Sequence, residues 1–205
     1  MKRTAALIGA ALLVGVQAVS AGALQELKDF TSGGKAFYAT FVQSVYGAEG
    51  ELMRESTGEV SLLPPVKFRW DYATPFKQEL VSNGETLWLF DDDLQQVTVR
   101  SAKEALANSP ILLLTGEVSF EDEFEVKEVG VRDGLSWVEL KPLDAEADFD
   151  AIYAAMDSAG LRVLDMRDKL GQSTQIQFEN IQLSNQLNPA LFEFKVPDGV
   201  DVVEQ

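Results

Sequence analysis

The fold is decided by residues 67–90, which read KFRWDYATPFKQELVSNGETLWLF. At the start of this stretch, Phe68, Trp70 and Tyr72 alternate with charged residues. Such an alternation predicts a β-strand with one aromatic face and one solvated face. Further along, Asn83-Gly84 separates two apolar runs, which is the strongest local signal for a β-hairpin. The stretch therefore predicts antiparallel strands that follow one another closely.

The period-two pattern extends over most of the remaining chain. Phe37, Ala39 and Phe41 are predicted to point the same way from one strand. Further short strands are predicted at residues 57–63, 67–72, 79–82, 86–90, 95–100, 124–129, 131–140, 149–156, 161–166, 174–183 and 192–196. Helical spacing interrupts the strands at residues 24–30 and 101–116. About ten or eleven short strands among these candidates predict a mainly β domain, either an antiparallel barrel or a sandwich.

Residues 1–21 are predicted to be a secretory signal peptide. Two basic residues precede an apolar and small-residue run over residues 5–16, and further small residues follow. The run is shorter than the ~20 residues that a membrane-spanning helix needs. Cleavage is expected after Ala21 or after Ala23, and the chain has no cysteine that could carry a lipid anchor. We therefore expect a single soluble domain, residues 22–205, in the periplasm.

The composition excludes several kinds of chemistry. The chain has no Cys and no His, which removes thiol nucleophiles, Cys/His zinc sites and imidazole bases. Its 17 basic and 33 acidic residues give a net charge of -16, and loss of the signal peptide leaves 15 basic residues and a charge of about -18. This charge argues against binding to nucleic acid or to anionic lipid surfaces. No cofactor is predicted.

Two acidic runs are candidate cation sites by residue type. Asp91-Asp92-Asp93 offers the carboxylate oxygens that Ca²⁺ prefers, but it lacks the glycine and the distal glutamate of an EF-hand loop. Its place between two predicted strands favours a polar turn. Glu121-Asp122-Glu123 is interpreted as a solvated charge run. No metal site is therefore predicted, and no spacing among the acidic residues identifies a catalytic pair.

The most distinctive residues are apolar. The aromatic residues lie on two strand faces, with Phe68, Trp70 and Tyr72 on one and Trp88 and Phe90 on another. A helical stretch from Ile111 to Leu114 is apolar on every side. A filled core and the wall of a ligand cavity use the same kinds of side chain, so the residue types leave both interpretations open.

Several segments, taken in series, resemble the LolA family of periplasmic carriers for outer-membrane lipoproteins. They are Gly58-Glu59-Val60, Pro65, Phe68 to Tyr72, Pro75, Leu80 to Trp88, Ser109 to Leu114 and Phe192 to Val202. Their order and spacing match the family over nearly the whole chain after the signal peptide. Each motif alone is weak, but the series is specific.

The resemblance implies an unclosed antiparallel β-barrel of about eleven strands, covered by short helices that act as a lid. The implied acyl-chain cavity is lined by Phe68, Trp70, Tyr72, Trp88 and Phe90, and the implied lid contains Ile111, Leu112, Leu113 and Leu114. The implied partners are acylated lipoproteins, an inner-membrane ABC transporter that releases them, and an outer-membrane lipoprotein receptor. A monomer without catalytic activity is expected.

One position departs from the family pattern. Where the family commonly has an arginine that fastens the lid, this chain has Pro64, which has no hydrogen-bond donor. Arg69 alternates with Phe68 and Trp70, so it is not expected to fasten the lid in place of that arginine. Two other functions stay open at this point, namely a lipoprotein-sensing regulatory module with the same half-barrel and a carboxylate-based hydrolase.

Overall fold

The computed structural model describes residues 22–106, Leu114 and residues 119–205, and the predicted signal peptide lies outside this part. The described helices are α1 (Ala23–Ser32), α2 (Ala102–Leu106), α3 (Phe120–Glu123) and a 3₁₀ helix (Pro189–Phe192). The strands are β1 (Ala36–Tyr46), β2 (Leu52–Leu63), β3 (Lys67–Thr74), β4 (Gln78–Ser82), β5 (Thr86–Asp91), β6 (Gln96–Ser101), β7 (Phe124–Arg132), β8 (Leu135–Pro142), β9 (Phe149–Asp157), β10 (Gly160–Asp168), β11 (Ser173–Ser184) and β12 (Asp201–Glu204). None of the described helices combines the length and the apolar character needed to cross a membrane.

All twelve strands belong to one sheet, in the order β12-β6-β5-β4-β3-β2-β1-β11-β10-β9-β8-β7. Strands β1 to β6 form one antiparallel meander and β7 to β11 form a second, and the two meet where β1 pairs with β11. Within the described part of the chain, the end strands β7 and β12 do not pair with each other, so the sheet is not closed. The predicted mainly β, unclosed fold is confirmed, with twelve strands instead of about eleven.

The C-terminal region differs from the prediction. The strand predicted at residues 192–196 is wrong, because a 3₁₀ helix ends at Phe192 and the chain pairs only at β12. The Ala190 N–H donates a hydrogen bond to the Asn188 side chain at 3.1 Å, which stabilises the start of this helix. The twelfth strand is parallel to β6 and only four residues long, too short for its alternation to predict it.

A second difference concerns the acidic run at residues 121–123. The sequence predicts only a solvated charge run, whereas these residues belong to the short helix α3, which begins at the buried residue Phe120. The three carboxylates are exposed, as expected for a charge run.

The strand register separates the side chains into two faces. Trp70 lies opposite Val60 in β2 and Leu80 in β4, so these three side chains point to one face, which we call the inner face. Trp88 lies opposite Val81, which follows Leu80 along β4. Because successive side chains of a strand point to opposite faces, Trp88 points to the other, outer face.

The main apolar core lies between the inner face and helix α1, which contacts β7, β8, β9 and β10. Near the end of α1, Phe30 meets Phe37 of β1 edge to face, with ring centroids 5.3 Å apart. At its start, the N–H groups of Ala23 and Leu24 donate to the Glu128 carboxylate of β7 at 2.9 and 3.0 Å. The helix therefore covers one half of the inner face and is held at both ends.

Candidate functional site

A continuous row of aromatic side chains crosses the inner face. It consists of Phe30, Phe37, Phe178, Trp70, Phe41 and Tyr72, and we call it the aromatic row. Successive ring centroids are 4.8–6.2 Å apart, mostly in edge-to-face or tilted contacts. The row begins at α1 and ends near the turns that connect β1 to β2 and β3 to β4.

The end of the row that is remote from α1 is polar. The Tyr72 hydroxyl donates a hydrogen bond to Gln43 Oε1 at 2.9 Å. Burial raises the pKa of the Tyr72 phenol above its ordinary value, against the effects of Arg54 and of this hydrogen bond, so the phenol is protonated at neutral pH. The inner face therefore has an apolar end beside α1 and an opposite end with polar groups.

Space for the row depends on Gly58 in β2, which lies opposite Phe41 and Tyr72 in the sheet. A Cβ atom at this position would lie 1.9 Å from the Asp71 carbonyl oxygen and 2.7 Å from Phe41 Cζ. A larger residue would therefore displace both the neighbouring strand and the Phe41 ring. The glycine of the Gly58-Glu59-Val60 motif thus has a packing role.

The aromatic residues predicted to line one cavity lie on two faces. Phe68, Trp70 and Tyr72 point to the inner face, whereas Trp88 and Phe90 point to the outer face. On the outer face, Trp88 and Phe90 each pack against Phe194 with ring centroids 6.1 Å apart, and we call these three residues the outer cluster. The structure does not bring the two groups together, so the candidate site includes only the inner residues.

One residue of the predicted lid belongs to the described part of the chain. Leu114 is 3% exposed and lies in the same apolar core as Phe68 and Trp70. Ile111, Leu112 and Leu113 lie outside the described residues. The role of this segment as a lid stays a prediction.

Pro64 lies in the turn between β2 and β3. The Ser82 hydroxyl fastens this turn by donating to the Val66 carbonyl at 3.1 Å. Arg69 points to the outer face, where its guanidinium donates to Asp71 and Glu79 at 2.7 and 2.6 Å. Arg69 therefore points away from the core that contains Leu114.

The acidic run at Asp91-Asp92-Asp93 leads into the β5–β6 turn. The Leu94 N–H and the Gln78 side chain donate to the Asp91 carboxylate at 3.0 and 2.8 Å. These hydrogen bonds give Asp91 a structural role in the turn. Among the described residues, no three Asp or Glu side chains are arranged to hold a metal ion.

A polar groove of about 550 Å³ lies beside β8, β9, β10 and β11. Within it, the Tyr153 hydroxyl donates to Glu139 at 2.8 Å, and the Arg167 guanidinium lies 5.4 Å from the Tyr153 ring centroid. The hydrogen bond, with smaller contributions from Lys141 and Lys127, lowers the pKa of Glu139. Polar and charged side chains make this groove a poor place for an acyl chain, in contrast to the aromatic row.

Sequence reasoning found Phe68, Trp70 and Tyr72 but missed other parts of the site. Phe178 alternates with polar residues in β11, so its strand was predictable, but its pairing partner β1 lies far away in the sequence. Glu128 carried no signal, because a carboxylate that accepts hydrogen bonds from a distant helix looks like any surface acid.

The described residues thus form an unclosed β-sheet with one apolar face covered by helices. The fold is shared with an uncharacterized conserved protein from Thermus thermophilus. That structure has a TM-score of 0.58 and 16% identity, and the match covers 89% of this chain and 99% of that chain. At this identity the likeness shows the fold alone.

Sequence comparisons identify the family. The family model of the outer membrane lipoprotein carrier protein LolA matches residues 32–195. The outer-membrane lipoprotein carrier protein of Methylococcus capsulatus is 37% identical over 178 residues, which cover 87% of this chain and 86% of that protein. The same-named protein of Xanthomonas campestris pv. campestris (strain B100) is 38% identical over 185 residues, or 89% and 88% of the two chains. This chain therefore belongs to the LolA family, as its motifs predicted.

Proposed function

We propose that this protein carries lipoproteins to the outer membrane and binds their acyl chains on the inner face, along the aromatic row. The observation that carries this proposal is the continuous row on the face that α1 covers, in a member of a carrier family. At ~0.8 kcal/mol per CH₂, an acyl chain of about fifteen methylenes costs on the order of 12 kcal/mol to leave in water. A carrier must cover this surface during transport.

Cargo must displace something, because the described inner face is packed. Phe68 is 1% exposed and Trp70 is 3% exposed. Residues 111–114 fit the part that moves, since Leu114 is buried in the same core. Because Pro64 offers no donor, we expect this lid to close mainly through apolar contacts and therefore weakly. Hydrogen exchange over residues 106–116 should change on loading, and unchanged exchange would argue against the lid.

Two glutamate substitutions test the binding face. Phe68→Glu places a carboxylate on the inner face, and Trp88→Glu places one on the outer face. We expect Phe68→Glu to reduce binding of a fluorescent diacylated lipopeptide at least tenfold, because an acyl chain would have to desolvate the charge. Trp88→Glu should bind like the wild type in the folded fraction.

Binding is measured by co-elution of the lipopeptide from a detergent-free column, and folding by circular dichroism. If Phe68→Glu does not fold, the milder pair Phe68→Ser and Trp88→Ser answers the same question. If the Phe68 and Trp88 variants lose lipopeptide binding equally, the acyl-chain site does not lie on the inner face.

We propose that loading and unloading take place on protein partners, an ABC transporter in the inner membrane and a lipoprotein receptor in the outer membrane. The support is electrostatic, because a chain with a net charge near -18 is repelled by anionic lipid surfaces. Inner-membrane vesicles with ATP should release lipoprotein only when the carrier is added. Release that is independent of the carrier would contradict this assignment. The carrier is expected to elute as a monomer.

We propose that residues 1–21 are removed on export to the periplasm and that the mature domain is residues 22–205. Of the two predicted cleavage positions, Ala21 fits the fold better. Ala23 is 2% exposed, and its N–H donates a hydrogen bond to Glu128. Cleavage after Ala23 would remove this buried side chain and this hydrogen bond. The intact mass of the exported protein should correspond to a chain that begins at Gly22, and a mass that includes Met1 would contradict export by cleavage.

A further inference from the structure

The aromatic row contains a hydrogen-bond donor that the fold leaves without a partner. The Trp70 side chain is almost completely buried, and its Nε1 has no acceptor among the described residues. The indole N–H acts as a weak donor towards the Tyr72 hydroxyl oxygen and lowers the pKa of that phenol, but the contact falls short of full hydrogen-bond geometry. A buried N–H without an acceptor is rare in folded proteins, so this one calls for an explanation.

A second polar group lies beside Tyr72, at the end of the row that is remote from α1. Gln43 is nearly buried in β1, two residues from Phe41 and on the same face. Its Oε1 accepts the hydrogen bond from Tyr72, which leaves the Nε2 of the amide as a donor. The Tyr72 phenol is therefore adjoined by two donors, the Trp70 indole N–H and the Gln43 amide.

An acyl group has the complementary chemistry. Its carbonyl oxygen is an acceptor at one end, and the methylenes that follow are apolar. From Trp70 towards α1, the row continues through Phe178, Phe37 and Phe30, whose side chains have no polar atom. Successive ring centroids from Trp70 to Phe30 are 6.2, 5.7 and 5.3 Å apart, so the path along them is about 17 Å long. This length is comparable with that of an extended long acyl chain.

We propose that Trp70 Nε1, together with the Gln43 amide, forms a subsite for the carbonyl oxygen of an ester-linked or amide-linked acyl group. This inference rests on the acyl-chain binding proposed above and adds an orientation to it. The carbonyl lies at Trp70, and the methyl end points towards Phe37 and α1. The protein part of the cargo then leaves at the end of the sheet formed by the β1–β2 and β3–β4 turns.

The subsite also provides selectivity. A chain without a carbonyl leaves the buried indole N–H unpaired, whereas an ester satisfies it, so the site rejects the ligand that lacks the acceptor.

Two lipopeptides that differ only at the linkage test the subsite. They have the same peptide and the same chain lengths, but one carries ester-linked chains and the other carries ether-linked chains without a carbonyl. The wild type is expected to bind the ester form about tenfold more tightly. Trp70→Phe keeps an aromatic ring and removes the donor, so the preference should fall to about twofold or less. Trp88→Phe, in the outer cluster, should keep the full preference.

The outcomes separate the subsite from the proposed function. If neither lipopeptide binds to the wild type, the acyl-chain carriage proposed above is wrong. If both bind equally well to the wild type, or if Trp70→Phe keeps the full ester preference, carriage stands and the subsite is overturned.

A second measurement does not require a Trp70 variant to fold. The chain has three tryptophans, so ¹⁵N-labelled protein gives three indole N–H resonances, which Trp88→Phe and Trp137→Phe assign by elimination. Loading with the ester lipopeptide should move the Trp70 resonance downfield, because its N–H gains an acceptor. The ether lipopeptide should not cause this shift. The same shift with both lipopeptides would overturn the carbonyl subsite.

Discussion

The aromatic row and the outer cluster use the same kinds of residue, but they are covered in different ways. In the outer cluster, the strand residues Trp88 and Phe90 are covered by the C-terminal segment, in which Phe194 packs on both rings and Phe192 is fully buried. That segment is fastened to the sheet, since β12 pairs with β6 along its whole length. The aromatic row is covered by α1 and Leu114, which form no strand pair with the sheet. This difference supports the proposal that a ligand enters on the inner face, because the described cover of that face is held by side-chain contacts and not by strand pairing.

The largest expected difference between the two faces is in the unfolding free energy lost when a tryptophan is replaced by alanine. Trp70→Ala removes a ring that is buried at the centre of the row and should cost about 3–5 kcal/mol of unfolding free energy. Trp88→Ala removes a partly exposed ring and should cost about 1–2 kcal/mol. Urea denaturation of both variants measures the difference. Equal losses would mean that the two clusters are equivalent parts of one filled core.

A smaller effect is expected when the inner face is overpacked. Gly58→Ala brings a methyl group against a backbone carbonyl and the Phe41 ring and should cost about 3 kcal/mol. Gly47→Ala is the matched control, because the three atoms nearest to its Cβ would all belong to the flexible end of the Glu51 side chain. That variant should lose less than about 1 kcal/mol. A Gly58→Ala protein as stable as Gly47→Ala would contradict the packing role of Gly58.

The local sequence predicted the strands well but did not predict how their faces combine. The alternation in Phe68-Arg69-Trp70-Asp71-Tyr72 and the turn at Asn83-Gly84 gave correct strands and a correct hairpin. Whether Trp88 shares a face with Trp70 depends on the register across β4, and one residue of shift reverses the answer. The split between inner and outer aromatic residues therefore had to come from the structure.

Long-range contacts were also beyond the reach of local patterns. The row joins Phe30, Phe37 and Phe178 from three distant segments, and a period-two pattern gives no information about such partners. The family resemblance supplied the unclosed barrel, but not the parallel strand β12 that fastens the cover of the outer cluster.

A third prediction concerns the cover of the inner face. Glu128→Ala removes the acceptor for the N–H groups of Ala23 and Leu24 and should cost about 1 kcal/mol, as the loss of a helix N-cap does. Amide exchange in α1 should become faster while exchange in β12 stays unchanged. Glu125→Ala, an exposed residue on the same strand, is the control. Unchanged exchange in α1 would show that Glu128 does not hold the helix.

The smallest expected effects come from two outer-face carboxylates on either side of Tyr153, Glu139 in β8 and Asp165 in β10. The hydrogen bond from Tyr153, with Lys141 and Lys127, lowers the pKa of Glu139, so its ionised form stabilises the fold. This stabilisation is complete above the unfolded pKa near 4.5 and is lost as the pH falls through the lower folded value. Glu139→Gln should therefore cost about 1 kcal/mol at pH 7 and progressively less in acid.

The pKa of Asp165 is shifted in the opposite direction, so its charge has the opposite effect on stability. Burial raises its pKa, against the effect of Arg167, and its Oδ1 accepts no hydrogen bond within the described chain. The charged form therefore destabilises the fold at neutral pH, and this cost disappears as the pH falls through the raised folded pKa and then the unfolded value near 3.8. Asp165→Asn should raise the urea midpoint slightly at pH 7 and leave it unchanged in strong acid, while the exposed control Asp198→Asn should match the wild type at both pH values.

Neither Glu139 nor Asp165 lies on the inner face, so lipopeptide binding should be the same in Glu139→Gln and Asp165→Asn at neutral pH. A change in binding without a change in stability would place part of the ligand site on the outer face and would break the separation of the two faces.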